Sequence, residues 1–304
     1  MTAAMKAGPA IEAGEAPEGL SGDSLGAVLQ AASGRLGRAG IDSARLDARL
    51  LACFVLGWDQ AQVLTRPDHS PTAAKRRSLE ALVARREKRE PLAAITGRRE
   101  FWGLDFTVNG DTLIPRPESE TIIEAALETV TDRDAPLKIL DLGTGSGCLL
   151  LALLWELPGA TGLGVDVSEG ALNVARQNAS TLGLEARAQF RLSDWGGSVD
   201  AGEGRFDLLV ANPPYVADGE FAALEPEVAR FEPRLALSGG PDGLEGYRRL
   251  APGIRALLAP GGRAFVEIGA GQEKTVSVIF QQQELRVAHV HRDLGRRPRV
   301  IEIV

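Results

Sequence analysis

The stretch Val210-Ala211-Asn212-Pro213-Pro214-Tyr215 closes an apolar run of strand length, residues 206–211. Proline has no N–H to donate, so two successive prolines predict that the strand ends at Asn212. Ligands of open α/β sheets bind at the carboxyl ends of the strands. The stretch therefore predicts an amide, backbone carbonyls and the phenol of Tyr215 at a ligand-binding edge. A turn that merely ends a strand is the alternative, and the upstream sequence decides against it.

Composition places the chain among ordinary globular proteins. Of its 304 residues, 44% are hydrophobic and 25% are charged, and the formal net charge is −7. An acidic balance argues against a broad basic face for duplex DNA, so no direct nucleic-acid binding is expected. Cys53 and Cys148 lie in apolar runs without metal-ligand spacing, which predicts core residues in a reducing compartment and no metal site. Without a membrane-spanning run or a signal segment, we expect no membrane association and a cytoplasmic protein.

The N-terminal third predicts a tail followed by helices. Residues 1–20 lack aromatic side chains and predict a flexible tail. Residues 21–91 show helical apolar spacing and predict a small bundle that recognises the substrate, because no chemical motif lies within them. The expected helix starts are Ser21 or Asp23, Asp42 or Ser43, and Ser70-Pro71.

Two further expectations concern the surfaces of these helices. The second helix is expected to place its core face at Leu46, Leu50, Cys53 and Phe54. The basic run 85–89 is expected to form a solvated helix face.

Residues 92–115 predict a linker with a β-hairpin before a catalytic domain at 116–304. The β-rich segments 101–108 and 112–114 are joined by Asn109-Gly110. An Asn-Gly pair between such segments is a strong hairpin signal.

From residue 137 onward, strands alternate with helices, which predicts a largely parallel sheet covered on both faces. The predicted strands are 138–142, 161–165, 188–192, 206–211, 263–268, 287–292 and 300–304. The predicted helices are 146–157, 168–182, 243–259 and 272–282. Since only a short link separates the last two strands, we expect them to pair antiparallel.

A glycine-rich loop follows the first of these strands: Asp141-Leu142-Gly143-Thr144-Gly145-Ser146-Gly147. Glycines allow close approach of a ligand to the backbone, and the helix that begins there offers free N–H groups. A dinucleotide site would have its third glycine one residue later, and a carboxylate beside its pyrophosphate would be unfavourable. Asp141 instead suits a ligand with a cationic centre and an amino group, such as S-adenosylmethionine.

Acidic residues also end the next two strands. Asp166 stands where a carboxylate accepts hydrogen bonds from ribose hydroxyls. Asp194-Trp195 places an acid and an aromatic plane where an adenine ring would lie. Each residue alone has a structural explanation, as a helix cap or a core side chain. Together with Asp141 and Asn212 they predict a nucleotide-type cofactor site.

Three further motifs narrow the interpretation. They are Glu100-Phe101-Trp102-Gly103-Leu104-Asp105-Phe106, Leu113-Ile114-Pro115-Arg116-Pro117-Glu118-Ser119-Glu120, and Arg230-Phe231-Glu232-Pro233-Arg234 followed by Leu237-Ser238-Gly239-Gly240-Pro241-Asp242-Gly243. With these motifs, residues 21–304 resemble the peptide chain release factor N5-glutamine methyltransferases of bacteria. That family belongs to the class I S-adenosylmethionine-dependent methyltransferases. Ser119 is a small departure, because Thr is more usual there.

The resemblance implies a Rossmann-like seven-stranded α/β sheet with an N-terminal helical bundle and a linking hairpin. It also implies S-adenosylmethionine as cofactor and the glutamine of a release factor's Gly-Gly-Gln loop as substrate. The expected cofactor residues are Asp141, Gly143, Thr144, Gly145, Ser146, Gly147, Asp166, Asp194, Trp195 and Asn212. The expected acceptor-site residues are Asn212, Pro213, Pro214 and Tyr215.

Two rival functions remain open at the level of sequence. Asn-Pro-Pro-Tyr also fits adenine-N6 methyltransferases of DNA or RNA, whose conjugated amine is an equally poor nucleophile. Such enzymes extrude a base and use a basic recognition region, and no insertion of that kind interrupts the sheet. A scaffold that binds release factors without chemistry is the second rival, and the intact acceptor motif argues against it.

Overall fold

A computed structural model describes residues 20, 22–197, 199 and 205–304. It divides into two compact units, one comprising the described residues through Leu92 and the other Ala93–Val304. Nearly all of the predicted tail lies outside the described residues.

The first unit is the predicted helical bundle. Its helices are α1 (Leu25–Arg38), α2 (Ala44–Leu56), α3 (Gln60–Thr65) and α4 (Ala73–Glu87). The predicted cap at Ser43 is confirmed by the start of α2. The other starts were placed too early, because Ser24 accepts a hydrogen bond from the amide of Ala27 to cap α1, and Thr72 caps α4.

The core face predicted for α2 is wrong. Leu46 and Phe54 are 41% and 49% exposed. The buried residues of α2 are Ala44, Asp47, Ala48, Leu51, Ala52 and Val55. The helix is apolar on two sides, and the side with small alanines is the one that packs into the bundle.

The prediction that the basic run 85–89 at the end of α4 forms a solvated helix face is wrong for part of the run. Arg86 is buried, and its Nε donates to Oδ2 of the equally buried Asp47 at 2.7 Å. Arg35 of α1 likewise donates to both carboxylate oxygens of Glu87. Because buried charges require partners, these ion pairs fix α1, α2 and α4 against one another.

The hairpin lies in the second unit, after α5 (Leu92–Thr96), and its turn is not where predicted. β1 (Arg98–Phe101) pairs antiparallel with β2 (Leu104–Thr107) around Trp102-Gly103, whose φ angles are 55° and 70°. Positive φ at both turn residues is the geometry of a type I′ hairpin. Asn109 instead accepts a hydrogen bond from the amide of Asp111 through its side chain, so residues 109–112 form a turn outside any strand.

The large sheet has seven strands within the described residues. They are β3 (Lys138–Leu142), β4 (Thr161–Asp166), β5 (Ala188–Leu192), β6 (Phe206–Ala211), β7 (Leu258–Glu267), β8 (Val287–Arg292) and β9 (Pro298–Ile303). Their order is β5-β4-β3-β6-β7-β9-β8. β3 to β7 run parallel, and β9 is antiparallel to both neighbours, which confirms the predicted pairing of the last two strands. β7 starts five residues before its predicted start.

Helices cover both faces of this sheet. They are α6 (Glu120–Glu128), α7 (Cys148–Glu156), α8 (Glu169–Thr181), α10 (Glu245–Leu257) and α11 (Glu273–Gln282). The short α9 (Pro226–Phe231) lies in the segment between β6 and α10 and has no buried residue. Alternate residues of β3 enter different cores: Ile139 joins the α6–α7 side, and Leu140 joins the α10–α11 side. Within the described part of the chain, no helix combines the length and apolar character needed to cross a bilayer.

The strand order creates a crevice. The chain runs outward from β3 through β4 to β5 and then returns to the opposite side of β3 to form β6. Connections on the two sides of such a reversal diverge and leave a ligand site at the carboxyl ends of the strands. Residues after β3 and β6 therefore face the same opening.

Candidate active site

A cavity of about 520 Å³ occupies this crevice. Such a volume lies within the roughly 300–1,000 Å³ typical of small-molecule sites. The sequence-predicted residues that line it are Gly143, Thr144, Gly145, Ser146, Asp166, Asp194, Trp195, Asn212 and Pro214. Those that lie outside its lining are Asp141, Gly147, Pro213 and Tyr215. The loop after β2 also forms part of the wall, through residues 110–113.

The glycine loop is held by the neighbouring strand. The amides of Gly143 and Thr144 both donate to the carbonyl of Val165 at 2.9 Å. Gly143 and Gly145 have φ angles of 78° and 55°, which favour glycine. The amides of Gly143, Thr144 and Gly145 are thus used within the protein, and the loop lines the cavity in a fixed conformation.

Asp141 supports the loop from behind. Its side chain is fully buried, and Oδ2 accepts a hydrogen bond from Oγ1 of Thr144 at 2.6 Å. Burial raises the pKa of Asp141 to about 7, although the Thr144 hydrogen bond opposes the shift. In this structure Asp141 therefore positions Thr144, and Thr144 is the residue that faces the cavity.

Asp166 links two parts of the cavity wall. Its Oδ2 accepts from the amide of Gly145 and its Oδ1 from the amide of Ser168, both at 2.9 Å. A carboxylate offers about four acceptor positions, so both oxygens keep capacity for a ligand's hydroxyl groups. Asp166 can thus hold the glycine loop and a ribose at once.

Asp194 and Trp195 form the wall beyond β5. Asp194 is paired with Arg249 of α10, and Arg249 also lines the cavity. A Cβ atom built on Gly143 would lie 3.9 Å from Cζ3 of Trp195, so the indole stands beside the glycine loop. Arg249 was missed in the sequence because no local pattern connects it with a residue 55 positions away.

Asn212 is the central polar side chain on the other wall. Its Nδ2 donates to Oγ of Ser119 at 3.2 Å. Pro213 is buried, and Pro214 lines the cavity. Since the nitrogen of the amide faces Ser119, the oxygen is the end available to a substrate.

Tyr215 packs against the apolar core instead of lining the cavity. Its ring lies beside Gly269, and burial raises the pKa of its phenol to about 12. The Tyr215 carbonyl accepts from Nε2 of Gln272, which also donates to the carbonyl of Gly243. Oε1 of Gln272 accepts from the amide of Gly269 and the hydroxyl of Tyr247. Gln272 therefore fixes the backbone after the Asn-Pro-Pro-Tyr stretch.

An ion pair joins two of the sequence motifs. Nη2 of Arg116, which lines the cavity, donates to Oε1 of Glu232 at 2.6 Å. The Glu232 side chain is only 1% exposed, and burial raises its pKa while Arg116 opposes the shift. This contact attaches the segment between β6 and α10 to the segment before α6.

Asn178 of α8 connects the hairpin to the glycine loop. It is buried, accepts from the amide of Thr107, and donates to the carbonyls of Thr107 and Ser146. Several amide and carboxylate side chains outside the cavity lining, namely Asp141, Asn178 and Gln272, therefore hold the residues of the site in place.

The residues present fit S-adenosylmethionine. The cavity combines a backbone loop, the carboxylates of Asp166 and Asp194, and the aromatic plane of Trp195. These groups match a ligand that carries ribose hydroxyls, an adenine ring and a positive charge.

Comparison with family models supports this architecture. Residues 27–97 match the PrmC N-terminal domain, and residues 133–284 match a methyltransferase domain. The hMettl16 catalytic domain, solved in complex with MAT2A 3′UTR hairpin 6, has a similar fold with a TM-score of 0.54. It is 17% identical, and the match covers 73% of this chain and 81% of that one. That likeness concerns the fold alone.

Curated relatives are more similar. The chain is 48% identical to the release factor glutamine methyltransferase of Rhodospirillum rubrum, over 91% of this chain and 84% of the relative. It is 46% identical to that of Cereibacter sphaeroides, over 90% and 96%, and 43% identical to that of Caulobacter vibrioides, over 89% and 93%. These relatives favour glutamine over adenine as the methylated group. The chain belongs to the release factor glutamine methyltransferase family.

Proposed function

We propose that the chain methylates the side-chain nitrogen, N5, of the glutamine in the Gly-Gly-Gln motif of bacterial peptide chain release factors. The observation that carries the proposal is the single cavity lined by both the glycine loop and Asn212-Pro214. A cofactor site and an acceptor site within one crevice are what a direct group transfer requires.

We propose S-adenosylmethionine as the cofactor. Gly143 to Ser146, Asp166, Asp194 and Trp195 are the groups that would hold it, with Asp141 supporting the loop. When bound, it supplies a methyl group whose bond to positively charged sulfur breaks with the electron pair leaving on sulfur. The protein therefore needs to align the acceptor more than to activate it.

Asn212 and the carbonyl of Pro213 are the proposed acceptors of the glutamine's two N–H bonds. A carboxamide nitrogen is a weak nucleophile because its lone pair is delocalised into the carbonyl. Drawing both hydrogens to one side favours a pyramidal nitrogen whose lone pair is free to form the new C–N bond. The nitrogen then loses one proton to solvent. The ring of Tyr215 packs against the core, so Tyr215 is proposed to support the acceptor site through its backbone, whose carbonyl is held by Gln272.

The helical unit is proposed to recognise the body of the release factor. It has no motif for chemistry, and α2 carries exposed apolar side chains, Leu46 and Phe54. Because release factors act during translation, we also propose a cytoplasmic location for the enzyme.

The test is mass spectrometry of an unmethylated release factor after incubation with the protein and labelled S-adenosylmethionine. We expect one methyl group on the Gly-Gly-Gln glutamine. A Gln→Ala release factor and duplex DNA serve as controls, and neither should acquire label. Label on adenine would overturn the glutamine assignment and leave the fold unaffected.

A further inference from the structure

Three side chains from distant segments form a hydrogen-bonded chain that ends at the cavity. Ser119 lies in the single helical turn Pro117–Ser119, and Glu267 ends β7. Oγ of Ser119 is 2.5 Å from Oε2 of Glu267 and 3.2 Å from Nδ2 of Asn212. Glu267 and Ser119 are 1% and 3% exposed, so solvent does not compete with the contact between them, and the contact with Asn212 lies at the cavity wall.

We call the hydrogen-bonded series Glu267–Ser119–Asn212 the relay. Its donors and acceptors fix the direction in which each hydrogen bond is donated. An ionised carboxylate can only accept, so the hydroxyl proton of Ser119 must go to Glu267. The oxygen of Ser119 is then left to accept, and its partner is the NH₂ group of Asn212. The same direction leaves the carbonyl oxygen of Asn212 as the end that faces an acceptor amide.

We propose that Ser119 and Glu267 are positioning residues for methyl transfer, which hold the Asn212 amide in the orientation that accepts a hydrogen bond from the substrate glutamine. This inference rests on the proposed function. In the described residues, Ser119 is the only side chain that donates to the Glu267 carboxylate. Burial of this carboxylate costs stability that an apolar residue would not cost, although Arg299 and Arg116 favour its ionised form. Orientation of Asn212 gives this carboxylate a role at the end of β7.

Protonation of Glu267 permits the opposite direction of donation. When the protonated carboxyl donates to Ser119, Ser119 donates to Asn212, and the amide has to turn to accept. That turn presents an NH₂ group to the NH₂ group of the substrate, and the productive contact is lost. The relay therefore predicts slower transfer on the acidic side of the titration of Glu267.

The surroundings of Glu267 place that titration near neutrality. Burial raises its pKa to about 7, and the hydrogen bond from Ser119 limits the rise. The titratable and charged groups around it are Arg116, Glu118, Cys148, Tyr215, Tyr247 and Arg299. Arg299 and Arg116 favour the ionised form, and Glu118 disfavours it.

The test is the pH dependence of single-turnover methyl transfer to a release factor, at saturating S-adenosylmethionine, between pH 5.5 and 9. We expect the wild-type rate to fall on the acidic side of about pH 7. Ser119→Ala should lower the rate at pH 8 by roughly 10- to 100-fold, because it removes a hydrogen bond to a charged group. Ser119→Thr retains the hydroxyl and should restore most of the rate. Glu267→Gln should lower the rate at pH 8 and abolish the acidic decline.

Glu302→Gln is the matched control, since Glu302 is also a buried carboxyl of this sheet but pairs with Arg263 and His291. It should keep the acidic decline of the wild type. Thermal melting checks that each variant is folded. If the variant at Ser119 or at Glu267 unfolds, the variant at the other residue still tests the relay. Variants that keep the wild-type rate and pH profile would overturn the relay alone. A wild-type protein that transfers no methyl group to the release factor would overturn the proposed function together with it.

Discussion

At the level of single residues, Asp166 has two roles: it accepts a hydrogen bond from the amide of Gly145, and it is proposed to bind ribose hydroxyls. Asp166→Ala removes both, so we expect affinity for S-adenosylmethionine to fall by roughly 10- to 100-fold, equivalent to about 1.5–3 kcal/mol. Isothermal titration calorimetry measures this directly. Asp242→Ala is the control, since Asp242 pairs with Arg248 outside the cavity lining. Unchanged affinity in folded D166A would remove Asp166 from the site.

Asp141 should make stability depend on pH. Its pKa in the folded protein is about 7, above its ordinary value of 3.8, so the folded state binds more protons than the unfolded state between those values. The free energy of unfolding should therefore fall as pH rises through this range. Asp141→Asn removes the titration, and its stability relative to wild type should rise by about 2–3 kcal/mol between pH 5 and pH 8. Urea unfolding without cofactor measures the difference, and parallel pH profiles would contradict it.

At the level of elements, α2 and α4 are joined by the buried pair of Asp47 and Arg86. Asp47→Ala leaves the guanidinium buried without its carboxylate, and we expect a loss of about 3–5 kcal/mol in the free energy of unfolding. Asp23→Ala breaks the exposed pair with Arg76 and should cost less than about 1 kcal/mol. Equal losses in the two variants, measured by denaturant unfolding, would show that the buried pair does not stabilise the bundle.

Most elements of the second unit follow from local sequence. β3, β5, β6 and β8 have the predicted bounds, because each is a short β-forming segment bounded by turn residues. The hairpin turn was misplaced for an equally local reason. Tryptophan rarely adopts a positive φ, so Trp102-Gly103 gives a weaker signal than Asn109-Gly110, although it forms the turn.

Residues brought together from distant parts of the chain were less predictable. Motif positions identified the glycine loop and Asn212, but nothing local indicates that Ser119 meets Glu267 across 148 positions. The same applies to Arg116 and Glu232, which lie in two motifs quoted separately. The face of α2 was wrong because the helix is apolar on two sides, and only packing selects between them.

At the level of the whole molecule, the chain separates chemistry from proposed recognition. Cavity and motifs lie in the unit Ala93–Val304, which has its own apolar cores. A fragment of that unit should bind S-adenosylmethionine normally and methylate a short Gly-Gly-Gln peptide like the full chain. Its kcat/KM on an intact release factor should fall at least about tenfold, by loss of the contacts that hold the protein substrate. Equal kcat/KM values on the intact factor would assign another role to the helical unit.

Asn212 lines the cofactor cavity and donates to Ser119 of the relay, and it is also the proposed contact of the substrate glutamine. The most direct measurement is single-turnover methyl transfer to an unmethylated release factor by Asn212→Ala, at saturating S-adenosylmethionine. Saturation separates an effect on transfer from an effect on cofactor affinity. We predict a rate about 10²–10³ lower than wild type, the usual cost of removing one preorganised polar contact. A rate within a few-fold of wild type would contradict the proposed role of Asn212 in holding the glutamine.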